Sequence, residues 1–143
     1  MVKLNGLSCT TAAGTNMFDA LSWSWGASNQ STLGTGGGSG SGKASISELV
    51  VQKKFDACSP VLFGAVTSGK NFPGLTLTQE DGTGNILLTV TLTNVLVTSW
   101  QIGGSTRSEL PAESVGFDFE KVCISDTTTG NKACFDKVTN TAL

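Results

Sequence analysis

Hydrophobic and polar positions alternate with a period of two along most of this chain, which is the pattern of strands. Val2 to Leu7 opens with a short strand, and the polar stretch from Ser8 to Asn16 connects it onward. From Met17 to Ala27, Leu21, Trp23 and Trp25 alternate with Ser22 and Ser24, so the two tryptophans share one face. Ala44 to Phe55 predicts a third strand whose apolar parity changes between Ile46 and Leu49, the mark of a bulge or of burial on both faces. Between Phe72 and Gln79, Leu75 and Leu77 share a face, and EDGTGN (Glu80 to Asn85) is a turn. Ile86, Leu88, Val90 and Leu92 then alternate with Leu87, Thr89, Thr91 and Thr93. The phase slips at Asn94, after which Val95 and Val97 are apolar, and the run continues to Ile102. A strand of that length needs a kink near Asn94, serving two sheets or turning a barrel corner. Val115, Phe117 and Phe119 repeat the alternation against Gly116, Asp118 and Glu120.

One helix interrupts this pattern, at about residues 60–68. Ser59 suits the N-cap, Pro60 the first helical position and Gly69 the C-terminal stop. Leu62, Phe63 and Val66 give it an apolar stripe, and so short a helix must pack on the sheet to persist. At the C-terminal end a turn at Thr127 to Gly130 sets a hairpin register in which Cys123 faces Cys134 and Val122 faces Phe135. The same register places Lys121 opposite Asp136 and Glu120 opposite Lys137, and a slip of one residue would destroy all four pairs. A disulfide between Cys123 and Cys134 is therefore expected. Cys9 and Cys58 are left to pair with each other, to pair across subunits, or to stay buried as small hydrophobes.

The pattern predicts an all-β fold of about eight strands, a compact β-barrel or two-sheet sandwich with one short α-helix, as a single domain over residues 1–143. A Gly/Ser loop at residues 28–42, with six glycines, interrupts it and is too long for a hairpin turn. Asn29, Leu33, Gly36, Gly38 and Lys43 are its candidate contacts with another subunit.

Composition narrows the chemistry. There is no histidine and no tyrosine, so Ser–His and Cys–His pairs and the commonest metal ligand are absent. Four cysteines without a CxxC or Cys/His cluster argue for disulfides and an extracellular destination rather than zinc. No metal, cofactor or catalytic residue is expected. Charged residues make up 14%, against roughly 25% in ordinary soluble domains. The net charge is −2 with scattered Lys and Arg, which excludes a nucleic-acid footprint. No apolar run is long enough to insert in a membrane, and MVKLNGLSC is too polar for a signal peptide. TGGGSGSGK lacks the GxxxxGK[ST] spacing of a phosphate cradle. Glu109, Glu113, Asp118 and Glu120 read as solvated positions, subunit contacts or partners of lysine rather than a carboxylate pair for glycoside chemistry.

An ordered set of segments resembles the Hcp family, the tube protein of type VI secretion systems. These are LSWSWGASN (Leu21–Asn29), GSGKASISELVVQKKFD (Gly40–Asp56), SPVLFGAVTSGKNFPGLTLT (Ser59–Thr78), ILLTVTLTNVLVTSWQIGGS (Ile86–Ser105) and ELPAESVGFDFEKV (Glu109–Val122). The resemblance implies a β-barrel with one helix, hexameric rings with a central channel, and stacking of those rings into a hollow tube. It also implies self-association as the main partnership, with effector cargo in the lumen, and it favours the core over a binding platform for Trp23 and Trp25. The chain departs from the family's usual pattern in its four Cys, its lack of His and Tyr, and its uncharged SCTTAAGTN segment. These departures suit a protein working outside the cell, in a secretion tube or a related extracellular filament. The alternative is a monomeric extracellular β-sandwich that binds carbohydrate through exposed tryptophans; an enzyme ranks behind both.

Overall fold

The computed structural model describes residues 1–31, 33, 43–107 and 109–143. In chain order the strands are β1 (Val2–Leu4), β2 (Thr10–Thr11), β3 (Gly14–Thr15), β4 (Met17–Phe18), β5 (Ser22–Ser24), β6 (Ala27–Asn29), β7 (Ala44–Ile46) and β8 (Leu49–Lys54). Helix α1 (Ser59–Ser68) follows, then β9 (Asn71–Glu80), β10 (Ile86–Gly103), β11 (Ala112–Asp126), β12 (Lys132–Asp136) and β13 (Thr141–Ala142). The fold is mostly β with one helix, as the alternation predicts.

The long antiparallel ribbon of β10 and β11 is the spine. Its first half carries β9 beside β10, from Ile86 opposite Glu80 to Leu96 opposite Asn71. Its second half carries β8 beside β11, from Ala112 opposite Lys54 to Phe117 opposite Leu49. Between them the backbone turns at Asn94, whose φ is +53°, and the register shifts between Val97 and Ser99. Val90 and Leu92 before the turn, and Val95 and Val97 after it, are all buried, so the phase slip read from the alternation keeps one face inward through the bend. A single core of Val2, Leu4, Phe18, Leu49, Val51, Leu75, Leu77, Phe117 and their neighbours fills the space between the two halves.

The sheet does not close as a barrel among the described residues. Its strand order runs β13-β12-β11-β10-β9-β1-β4, with β8 paired to β11 and β5 to β8. The stretch predicted as one strand from Met17 to Ala27 is broken into β4, β5 and β6. β4 pairs only with β1 and β5 only with β8, so the wall is carried across the gap by residues 19–21 rather than by a ladder. A side-chain bond spans this seam, from Trp23 Nε1 to Gln79 Oε1 at 3.0 Å.

Two local expectations are corrected. Ser59 is not the N-cap: that position belongs to Cys58, and the Cys58 N–H is taken by the Asp56 carboxylate at 2.8 Å. At the other end Gly69 is left-handed, and its N–H reaches the Ala65 carbonyl. In the hairpin the backbone register is as predicted, Cys123 opposite Cys134 and Lys121 opposite Asp136. The charges are distributed differently, because Lys137 pairs with Asp118 and Asp136 accepts backbone N–H bonds from Val138 and Thr139. The expected Glu120 partner instead accepts from Asn94 Nδ2 at the bend of β10. Disulfides join Cys123 to Cys134 and Cys9 to Cys58, and no free cysteine is found among the described residues.

Candidate assembly surfaces

The Gly/Ser loop leaves the body on a two-stranded ribbon. β6 and β7 pair only with each other, Ala27 opposite Ile46 and Asn29 opposite Ala44. The ribbon is anchored at its base by Ser47, whose N–H donates to the Gly26 carbonyl while its hydroxyl accepts from the Gly26 N–H. Asn140 Nδ2 holds it from the other side, donating to the Ala44 carbonyl at 3.1 Å. The parity change between Ile46 and Leu49 is this anchor, where one predicted strand becomes ribbon and then wall. Of the candidate contacts, Asn29, Leu33 and Lys43 are exposed, Leu33 at 78%. Gly36 and Gly38 lie outside the described residues.

Trp23 and Trp25 are half-buried and pack against the core. Leu21, which the alternation placed with them, is 60% exposed because it precedes β5 and lies in the crossing segment. It lines a cleft of about 480 Å³ on the seam, together with Asp19, Trp23, Thr78, Gln79 and Glu80.

The position of Glu113 overturns its reading as a surface carboxylate. Its side chain and that of Lys53 are fully buried, 3.0 Å apart. Lys53 Nζ also donates toward Asp56 Oδ1, Ser59 Oγ and the Lys54 carbonyl, four acceptors for three protons. Ser59 donates to Glu113 Oε2, and Trp100 Nε1 donates to Glu113 Oε1 at 2.7 Å. This knot ties β8, the start of α1, β10 and β11 at one point. Every buried side-chain polar atom among the described residues has a partner. A Lys beside a Ser hydroxyl is the chemistry of a nucleophile, yet here all three groups are sealed from solvent, and the arrangement serves to fix the helix on the sheet. Outside it, Phe63 of α1 meets Trp100 in a tilted ring contact, centroids 5.3 Å apart and planes at 51°, while remaining 52% exposed.

Carboxylates with shifted affinity for protons are structural. Asp126 caps the final hairpin turn, accepting the hydroxyl and N–H of Thr128 and the hydroxyl of Thr129, which lowers its pKa to about 2. Asp81 does the same for the EDGTGN turn through Thr83 and Asn85 and is also lowered. Partial burial raises Asp118, but the bonds from Lys137 and the Phe119 N–H outweigh it and leave its pKa below the usual value. Among the described residues no group of three or more His, Cys, Asp or Glu is placed to hold a metal.

The fold and these surfaces define a structural β-domain, with its polar chemistry spent on internal ties and its sheet left open at the edges. Residues 2–125 match the family model for the type VI secretion system effector Hcp, so the chain belongs to the Hcp family of secretion tube proteins. This is a structural, non-enzymatic family. Among solved structures, Hcp1 from Salmonella typhimurium is 26% identical, with a TM-score of 0.82 over 99% of this chain and 96% of that one. A second type six secretion system protein is also 26% identical, with a TM-score of 0.82 over 99% of this chain and 97% of its own. A type VI secretion system effector from Yersinia pestis, 23% identical with a TM-score of 0.77 over 94% of this chain and 97% of that one, shares the fold. No curated protein matches the chain.

Proposed function

We propose that this chain is the repeating unit of a secreted tube, closing into hexameric rings that stack around a central channel. The observation that carries the reading is the open strand order: a family member with a rigid single core ends in unpaired edges that an identical neighbour can satisfy. Contacts of one surface with a different surface on the next copy close a ring when the rotation closes. The Gly/Ser segment, carried on the β6–β7 ribbon and poor in apolar residues, is the contact between rings, with Asn29, Leu33, Gly36, Gly38 and Lys43 as its contributors. Low charge density suits dense packing of copies, and two disulfides suit durability after export. Effector cargo in the channel is the further partner that the family suggests.

Negative-stain microscopy of the purified protein tests this. Rings with a channel are expected, and a species that stays monomeric at high concentration would overturn it. Deleting Thr35 to Ser41 should leave folded rings that no longer stack; normal tubes after the deletion would remove the loop from the interface.

A further inference from the structure

Two surfaces of the open sheet carry exposed charge of opposite sign. On the first, β13 covers Phe135 and Asp136 of β12 and the Leu143 N–H takes the Cys134 carbonyl, which leaves Lys132 and Ala133 at an edge. Lys132 stands opposite Ser125, and Lys121 opposite Asp136, so both lysines lie on the same face of the β11–β12 ladder. Both are exposed, and neither side chain has a hydrogen-bond or ion-pair partner among the described residues. The second surface is the seam cleft, between the outer edge of β5, which pairs on one side only among the described residues, and the end of β9. Asp19 and Glu80 line this cleft beside the Met1 ammonium, which is bonded to the Thr78 carbonyl; both carboxylates are exposed and have no side-chain partner among the described residues.

We propose that the β12 edge of one copy, with Lys132 on it and Lys121 one strand inward on the same face, docks at the Asp19/Glu80 seam of the next, so that a second copy of this chain is the occupant of the cleft. The inference rests on the self-assembly proposed above and names the two surfaces that join copies within a ring. Edge strands pair with whatever edge is offered, and lysine on an edge repels its own kind. Two β12 edges therefore repel, two acidic seams repel, and only the unlike pairing is attractive. That asymmetry selects a head-to-tail contact, the kind that closes a ring. The cleft, of about 480 Å³, has both carboxylates and Trp23 in its lining, so an entering lysine ammonium meets opposite charge beside an aromatic ring.

Reciprocal charge reversal tests this. The variants are Asp19→Lys/Glu80→Lys and Lys121→Glu/Lys132→Glu, each confirmed as folded by circular dichroism and followed by light scattering after size exclusion. Each alone should lose the ring species by tenfold or more, because each then carries like charge on both surfaces. An equimolar mixture should recover rings of alternating variants, since the altered seam of one then meets the altered lysine surface of the other, and the two native surfaces meet in turn. Native-like assembly of either variant alone, or folded variants that stay unassembled when mixed, would overturn the proposal. Should a reversal fail to fold, Asp19→Asn/Glu80→Gln and Lys121→Gln/Lys132→Gln replace it. These should weaken assembly and flatten its salt dependence, and assembly with an unchanged salt dependence would count against the proposal. If the native protein forms no rings, the tube reading itself fails; if it forms rings and the reversals change nothing, only this inference fails.

Discussion

The knot around Lys53 makes the sharpest demand on the physics of this fold. Both side chains of the Lys53–Glu113 pair are 0% exposed, so neither charge can fall back on water when the other is removed. Cutting one member of such a pair costs about 3–5 kcal/mol, because the survivor is buried without compensation. The two cuts are not equivalent. Lys53→Met leaves Glu113 with donors from Trp100 and Ser59 but no cation, and should fall in that full range. Glu113→Gln leaves Lys53 with Asp56, a carboxylate whose side chain is 25% exposed, and should cost about 2–3 kcal/mol. Lys53→Met/Glu113→Gln removes both charges together, so its cost should fall short of the sum by about 2 kcal/mol or more. Urea unfolding of the oxidised protein, followed by tryptophan fluorescence, measures all four corners of the cycle. At roughly 3 °C per kcal/mol for a domain of this size, Lys53→Met should melt about 10 °C below the parent. Single variants within about 1 kcal/mol of the parent, or a double variant equal to the sum, would show that the pair is not the buried tie described here.

The remaining predictions concern the staples, the final turn and the bend. Replacing Cys9 and Cys58 by Ala opens a link of sequence separation 49 and should cost about 4 kcal/mol in urea unfolding; replacing Cys123 and Cys134, separation 11, should cost about 3 kcal/mol. Because Asp126 is lowered to about 2 in the folded chain, its contribution is fully present above about pH 5, where the unfolded carboxyl is ionised, and is lost as pH falls through the unfolded value toward 2. The melting-temperature gap between the native protein and Asp126→Asn should therefore be constant from pH 7 to about pH 5 and narrow steadily below it. Asn94→Val should destabilise by about 1–2 kcal/mol, since a β-branched side chain resists the φ of +53° at the bend, while Asn94→Gly should cost less. Equal losses for the two would show that the backbone angle is not what Asn94 supplies.

Much of the fold was legible because strand signals are local. The slip at Asn94 needed only the parity of Leu92 and Val95, and that parity marks where one ribbon begins to serve both halves of the sheet. The hairpin register followed from four pairs that agree on one turn, although the charges then chose other partners: a lysine on a flexible stem can reach Asp118 as easily as Glu120. The N-cap was misread for a similar reason. A Ser before Pro is a good cap in isolation, but the Ser59 hydroxyl does more inside the sheet, between Lys53 and Glu113.

The knot itself had a signal, one that charge alone obscures. Leu49, Val51 and Lys53 share a phase, and so do Glu113, Val115 and Phe117. A lysine and a glutamate each stand on the inward phase of their strand, next to apolar residues, and β8 lies beside β11 with Glu113 opposite Lys53. Opposite charges on two inward phases are intelligible only as partners, since either alone would be too costly to bury. The assembly edges carry no such signal. Nothing in the spacing of Asp19, Glu80, Lys121 and Lys132 relates them, because which of them share a surface beside an open edge is known only once the strand order is. For a subunit that works by joining copies of itself, the decisive residues are thus the ones whose local sequence says least, and the reciprocal reversals test them where the alternation could not.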